Sequence, residues 1–507
     1  MEPEAAGIIT ELAGTTNLRL AGSSQPHRLS LAKRVRAGIG WNASSSLLGQ
    51  IIGFVRSVVI ARLLFPDEFG LFSMALTIVL GLNALTTIGL DQTILARQFK
   101  NDKEFTDHLN TVWSAELLRS FFLGLLVLAS AYPLARFYGQ PKLTSLMPIL
   151  SLTMLIDGCR NIGLAILRKQ ISFARIFWYE VTTNITAAAL TIVLVFLTRN
   201  VWALVLGQLI SALLGMTLSY VFHPYRPRFA FEKTAFSHAL NFGKFALVIA
   251  VASYVTTMAD NVMVGRLLGP GALGNYALAY NLASFPIGVL VFALSKVTLP
   301  AFAELAASVP GRIDRAFTKV FTISSLILIS MLVPFFLLSG DIVKLLYGSK
   351  WTAAGPALRI LALIIPLRGL MLIISSLFFG LNRPRAVATG KALEAVVFLA
   401  LLYPLTRAFG LTGAAWAGVI TYGVALINRL IVLRSVLPDL SAKLMRVSLS
   451  ALAACGAGIL IAAFGLSFLH SSLSRLVVGG LLATMVPALL LLLMRADLRK
   501  WIVETAH

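Results

Sequence analysis

From residue 39 to residue 494 the chain is a succession of apolar runs, each long enough for a helix, separated by short polar or basic breaks. About 20 mainly apolar residues cross the hydrocarbon core as an α-helix. The pattern therefore predicts fourteen spans, over 39–64, 69–96, 109–135, 143–167, 174–198, 201–222, 239–268, 273–303, 317–347, 355–381, 386–408, 411–435, 444–469 and 473–494. Backbone groups at that depth find no water and must be satisfied inside the segment, so the expected fold is an all-α polytopic membrane protein. Residues 1–37 read differently: Glu2, Glu4 and Glu11 precede Arg28, Lys33, Arg34 and Arg36, and no apolar core follows a basic start. That order is unlike a cleavable signal peptide, so a disordered cytoplasmic tail is expected, with the first span as the targeting signal.

The pattern also contains a duplication. Ile60-Ala61-Arg62-Leu63-Leu64-Phe65-Pro66, followed by Gly70, returns as Val264-Gly265-Arg266-Leu267-Leu268-Gly269-Pro270, followed by Gly274, at a constant offset of 204 residues. An apolar run precedes each arginine and another follows each glycine, so each copy predicts a helical hairpin with a short turn. The copies lie an even number of spans apart and enter the membrane in the same direction. Parallel repeats form lobes related by an axis along the membrane normal, with the substrate site between them near mid-bilayer. Two six-helix lobes, 38–223 and 236–435, are expected around a central cavity, with an appended helix pair over 443–494 and a second cytoplasmic tail over 495–507.

Composition agrees. Hydrophobic residues are 58% of the chain and charged residues 13%, against roughly 25% charged in soluble domains. The net charge of +22 would point to nucleic acid in a soluble protein, but here the basic residues are dispersed among the breaks. They also alternate. By these limits 26 fall on one side of the membrane, among them Arg34, Lys169, Arg228 and Arg499, and 10 on the other, among them Arg62, Arg136, Arg266 and Lys350. The positive-inside rule puts the first set and both termini in the cytoplasm, and nucleic acid is not expected as a partner.

Several chemistries are not indicated. Cys159 and Cys455 both fall in apolar runs, so there is neither a disulfide framework nor metal-ligand spacing. No G-x-x-x-x-G-K-[ST] run is present, so ATP is not the energy source inside this chain. The histidines sit in tails, loops or span ends, which disfavours a buried proton relay or a metal centre. No cofactor is expected, and no enzyme.

The stretch from Gly38 to Arg97 is specific enough to resemble a known family. Gly53-Phe54-Val55-Arg56, Ile60-Ala61-Arg62-Leu63-Leu64, Pro66-Asp67-Glu68-Phe69-Gly70 and Gly89-Leu90-Asp91 resemble the opening of the bacterial polysaccharide transporters, the Wzx-like flippases, whose superfamily includes the lipid II flippase MurJ and the MATE exporters. Asp91 departs from the small or hydroxyl residue that many relatives carry there. The resemblance implies movement of an undecaprenyl-pyrophosphate-linked oligosaccharide from the cytoplasmic to the periplasmic leaflet of the bacterial inner membrane. Implied partners are that lipid-linked substrate, membrane lipids, and the polymerase and chain-length regulator of the same pathway, with a proton or sodium ion for coupling.

Such a substrate needs a cationic, hydrated cavity, and ionisable residues at membrane depth are candidate site residues by default. The basic ones are Arg56, Arg119, Arg160, Lys244, Lys296, Arg368 and Arg429; the acidic ones are Asp91, Glu116, Asp157, Glu180, Asp260 and Glu394. Glu116 with Arg119, and Asp157 with Arg160, can neutralise each other at i,i+3, a structural reading as plausible as a role at the site. Lys244 and Arg429 lie near span ends, where snorkelling is the favoured reading. Arg56, Lys296 and Arg368 lack a local acidic partner and are the better phosphate ligands, a guanidinium offering a bidentate fork and an ammonium a point charge. One repeat from Arg56 stands Asp260, so the two are expected to face each other across the pseudo-axis, with Asp260 and Asp91 as candidates for ion coupling. An equally weighted alternative for Asp260 is simple neutralisation of Lys244 or of a nearby backbone group. Sugar recognition is expected from amides such as Gln50, Asn83, Asn184 and Asn281. A MATE-type exporter remains the second functional reading, for which an acidic cavity and twelve spans would be usual. A membrane glycosyltransferase is a third, although a turn-capping role explains the external pair Asp67-Glu68 better.

Overall fold

The computed structural model describes residues 31–86, 94, 99, 101–308, 313–381, 383–467, 475–482 and 484–485, and among them there is no strand. The helices are α1 (Leu31–Leu63), α2 (Pro66–Thr86), α3 (Asp102–Ala129), α4 (Ala131–Tyr138), α5 (Leu143–Gly158), α6 (Gly163–Lys169), α7 (Phe173–Thr198), α8 (Val201–Phe222), α9 (Lys233–Ser308), α10 (Ile313–Leu337), α11 (Ser339–Tyr347), α12 (Ala354–Leu361), α13 (Ile364–Gly380), α14 (Pro384–Val436) and α15 (Pro438–Ser467). Nine helices among the described residues are long and apolar enough to cross a membrane, or ten if the bent pair α5 and α6 is one span.

Local chemistry sets the ends. Pro66 opens α2, where its missing N–H is no loss, and Asp67 and Glu68 occupy the first turn, where the helix dipole favours negative charge. The side chain of Asn101 accepts the Glu104 N–H at 2.8 Å to cap α3, and that of Asn200 accepts the Trp202 N–H at 3.1 Å to cap α8. Two long helices are interrupted by glycine in the left-handed region, α9 at Gly269 (φ 84°) and α14 at Gly410 (φ 60°). Both fold back there. The Tyr276 hydroxyl donates to Asp260 Oδ2 at 2.8 Å, although sixteen residues of straight helix would separate them by about 24 Å. Likewise a Cβ on Gly413 would stand 1.9 Å from the Leu405 carbonyl oxygen, a neighbour only if α14 reverses.

Some expectations need correction. The first helix begins at Leu31, inside the stretch expected to be a disordered tail. The run 317–347 divides at Leu338 into α10 and the short α11, and 355–381 holds both α12 and α13. The run 143–167 is two helices meeting at 53°. At that break Asn161 supplies what the backbone loses: its Oδ1 accepts the Gly163 N–H at 2.8 Å, and its own N–H donates to Ser219 Oγ at 2.9 Å. Hydropathy is blind to such breaks because both sides of each are equally apolar. Small residues at Gly413, Ala414 and Ala415 accompany close packing, the two alanines being fully buried.

The duplicated turns meet each other. A Cβ on Gly70 would lie 1.7 Å from the Pro270 carbonyl oxygen, and one on Gly274 would lie 2.1 Å from that of Pro66. Pro66 and Pro270 are repeat mates, as are Gly70 and Gly274, so the contact is reciprocal, the mark of a two-fold relation. Asp67 Oδ1 would be 2.7 Å from a Cβ on Gly271, its own repeat mate, which puts that pair beside the axis. Between the halves, residues 223–232 run extended along α3. Asn110 Oδ1 accepts from the Tyr225 hydroxyl at 2.8 Å and the Arg228 N–H at 3.0 Å, and Ser114 Oγ from the Ala230 N–H at 3.0 Å.

Candidate functional site

Between the halves lies a cavity of about 410 Å³. One wall comes from α1 and α2, with Gln50, Phe54, Arg56 and Ser57 on the first and Phe69, Phe72 and Ser73 on the second. The other comes from the second arm of α9, with Asn281, Ser284 and Phe285, and from Tyr347 at the end of α11. Phe54 and Phe285 stack across the gap at 4.6 Å between ring centroids. Among the described residues, those that line it include one cation, Arg56, and no carboxylate. Among the described residues nothing pairs with the half-buried Arg56 guanidinium. A charge at this depth is costly unless it meets water or an anion. Aromatic faces and amides beside Arg56 suit a polyhydroxylated group joined to such an anion.

A second polar cluster is enclosed within the C-terminal half. Asp260 is 3% exposed; it accepts from the Tyr276 hydroxyl and, at 2.9 Å, from the Asn261 N–H. Arg368 Nη1 donates to the Tyr280 hydroxyl at 3.1 Å, and its guanidinium stands 5.8 Å from the Tyr422 ring centroid. A small pocket lined by Thr256, Asp260, Tyr276, Tyr280, Thr421 and Tyr422 joins these groups. Nearby, Arg429 donates to Glu394 Oε1 and to Ser375 Oγ, each at 2.7 Å, while Lys391 reaches Glu394 Oε2 at 2.9 Å.

A profile of the family described as polysaccharide biosynthesis protein matches residues 59–356, well over half of the chain. The chain belongs to that family. It is similar to the succinoglycan biosynthesis transport protein ExoT of Rhizobium meliloti (strain 1021), 26% identical over 332 residues, which are 66% of this chain and 66% of that one. It is also similar to the lipopolysaccharide biosynthesis protein WzxC of Escherichia coli (strain K12), 25% identical over 346 residues, 67% of this chain and 68% of that one. In fold it is similar to the lipid II flippase MurJ in an inward closed conformation, with a TM-score of 0.72 at 17% identity, covering 90% of this chain and 98% of that one. An inward-facing MATE transporter gives a TM-score of 0.60 at 19% identity, over 79% and 94% of the two chains.

The candidate residues divide by place. Arg56 lines the interlobe cavity, with Gln50 and Asn281 beside it. Arg119 pairs with Glu116 and donates to Asn83 Oδ1 at 2.9 Å and Thr86 Oγ1 at 3.0 Å; Arg160 pairs with Asp157 at 2.7 Å. The local-neutralisation reading describes both. Arg368 belongs to the C-terminal cluster and is not among the lining residues of the interlobe cavity. Asp260 is not brought to Arg56: it is bonded by Tyr276 and Asn261. Arg429 does not snorkel; it is 3% exposed and held by Glu394 and Ser375. Glu180 accepts from Ser45, and Glu68 caps α8 by accepting the Val201 N–H at 2.7 Å. Asp91 lies outside the described residues, and for Lys244 and Lys296 the helix is described but the side chains are not. Sequence reasoning passed over the tyrosines. Tyr276 and Tyr280 stand at i,i+4 on the arm of α9 that follows Gly269, while Asp260 stands on the arm before it, so only the fold-back brings them together.

Proposed function

We propose that this chain flips an undecaprenyl-pyrophosphate-linked oligosaccharide from the cytoplasmic to the periplasmic leaflet of the bacterial inner membrane, supplying exopolysaccharide, capsule or O-antigen assembly. It is a transporter and not an enzyme. The observation that carries the reading is the Arg56 guanidinium, unpartnered among the described residues, in an interlobe cavity walled by aromatic rings and amides. A guanidinium grips phosphate oxygens bidentately, the ring faces cover sugar C–H faces, and Gln50 and Asn281 take hydroxyls. The names of the succinoglycan and lipopolysaccharide relatives support a saccharide cargo. A described lining with one cation and no carboxylate favours an anionic cargo over the cationic cargo of a MATE-type exporter.

In this reading the chain has fourteen spans: α9 and α14 each contribute two, and residues 473–494 the last. The even count returns both termini to the cytoplasm, the side favoured by the basic residues. One lobe rocks against the other, and Asp260 couples that motion to a proton or sodium ion. Lys296 and Arg368 assist the phosphate as it passes, and the polymerase and chain-length regulator receive the product. The test is a flip assay in proteoliposomes. Lipid-linked saccharide placed in one leaflet should reach an enzyme probe in the other much faster with the protein than in protein-free vesicles. Equal rates would overturn the assignment.

A further inference from the structure

At one end of the interlobe cavity, beside its lining residues Phe69 and Tyr347, the two duplicated turns are in contact. At the centre of that contact is the backbone seam of Gly70 on Pro270 and Gly274 on Pro66. Around it, each copy's arginine reaches across to a short helix of the opposite half that ends in Tyr-Gly. Arg62 donates from Nε to the Leu346 carbonyl at 2.8 Å and from Nη2 to the Leu345 carbonyl at 2.6 Å, in the last turn of α11 before Tyr347-Gly348. Arg266 stacks at 5.4 Å on Phe137, in the last turn of α4 before Tyr138-Gly139. Trp351 Nε1 returns the contact, donating to the Ala61 carbonyl at 2.7 Å, and Lys350 donates to the Leu64 carbonyl at 3.2 Å.

The accepting carbonyls are the telling feature. The last carbonyls of a helix have no partner within it and need a cap or water. Here the C-terminal carbonyls of α1 are capped by side chains of the second half, and those of α11 by a side chain of the first. Such caps form only while the halves are together, and when they part, water can take each carbonyl. The closed arrangement is therefore stabilised by exchangeable bonds, while the glycines let the two backbones meet. A methyl group at either glycine would collide with a peptide carbonyl that cannot rotate away.

We propose that the two copies of the duplicated turn form a latch: a glycine seam clipped by cross-lobe capping of helix C-termini, whose release opens the interlobe cavity toward the face that bears the turns. The latch rests on the reading of that cavity as the transport path. It assigns the duplicated arginines to the gate and separates them from Arg56, which faces the cargo. Each half supplies a clip and the carbonyls that the other half clips, and in the second copy the stack of Arg266 on Phe137 stands where Arg62 makes its caps.

The test reads opening directly. In a background of Cys159→Ala and Cys455→Ala, the cavity-lining Ser73→Cys is exposed to a membrane-impermeant maleimide applied to the periplasmic face of spheroplasts. Adding Arg62→Ala should raise the labelling rate by about fivefold or more, the population shift expected for loss of one or two hydrogen bonds. Gly70→Ala should act in the same direction by holding the seam apart. Conversely, Asp67→Cys with Gly271→Cys, oxidised to a disulfide across the axis, should bring labelling of the Ser73→Cys peptide to background. Labelling at the parental rate in folded Arg62→Ala, or unchanged by the cross-link, overturns the latch. Labelling does not depend on the cargo, so a negative flip assay would leave this result standing.

Discussion

Replacement of Arg56 separates a cargo-binding role from a structural one. Among the described residues no carboxylate or carbonyl holds its guanidinium, so Arg56→Ala orphans no partner and removes a charge that is costly to place at this depth. Thermal unfolding in detergent should therefore match the parent or rise. Transport should fall steeply. Two charge-assisted hydrogen bonds to phosphate, at about 1.5–3 kcal/mol each, are together worth about 3–6 kcal/mol. At about 1.4 kcal/mol per decade, that corresponds to a loss of about 10²- to 10⁴-fold in the flip rate at subsaturating substrate. Arg56→Lys keeps the charge but loses the fork, and should recover only part of the rate. The assay is the proteoliposome flip measurement at several substrate densities, beside a melting curve for each variant. Parental flipping by Arg56→Ala would refute the anionic-cargo argument. Loss of melting temperature in step with activity would make Arg56 structural.

The buried trio should behave in the opposite way: Arg429→Met leaves Glu394 with Lys391 alone and should cost about 3–5 kcal/mol of stability. Arg429→Met with Glu394→Leu should recover much of that loss in melting experiments, and an unchanged single variant would contradict the pairing. Asp260→Asn keeps a shape able to bond Tyr276 but removes the charge, so flipping should lose its response to an imposed proton or sodium gradient; a retained response would exclude Asp260 as the coupling group. Reporter fusions after residues 104 and 500 should read cytoplasmic and those at Pro66, Gly139 and Gly348 periplasmic, and an external C-terminus would break the fourteen-span reading. His223, just beyond α8, is held below its ordinary pKa by burial and then by Arg175 and Arg226, and its Nδ1 accepts the Tyr225 N–H at 3.1 Å. A depressed folded value means that its contribution is present above the unfolded value of about 6.5 and lost as pH falls through the folded one. Proteolysis within residues 223–232 should accelerate on acidification, and His223→Gln should flatten that dependence.

What could be read from the chain was whatever is local or repeated. The pairs Glu116–Arg119 and Asp157–Arg160 were legible because i,i+3 neighbours share a helix face whatever packs outside. The two turns were legible because a constant offset survives without knowledge of the fold. Their mutual contact was not anticipated, although a parallel repeat around one axis brings equivalent points near that axis together. The break at Leu338 was hidden because an apolar run reads the same whether or not it bends. Residues 35 and 88 apart, Glu394 with Arg429 and Tyr280 with Arg368, meet through helix register, about which hydropathy is silent.

The intramembrane charges show why register decides function. Arg429 and Arg56 look alike in sequence, each a lone arginine in an apolar run, and Arg429, near its span end, had the ready explanation of snorkelling. Its depth and rotation instead aim it at Glu394 and Ser375, so its charge is answered inside the protein and can do no work on a ligand. Arg56 is rotated toward the gap between the halves, where among the described residues no carboxylate answers it. Asp260 is the intermediate case, bonded by Tyr276 and by its own backbone turn yet bordering a small pocket with Thr256 and Thr421. A charge that the protein neutralises fully is architecture, and one that it leaves open defines what it carries. By that criterion Arg56 is the first residue to test for cargo and Asp260 the first for coupling, and the two half-sites belong to opposite lobes whose relative motion would connect them.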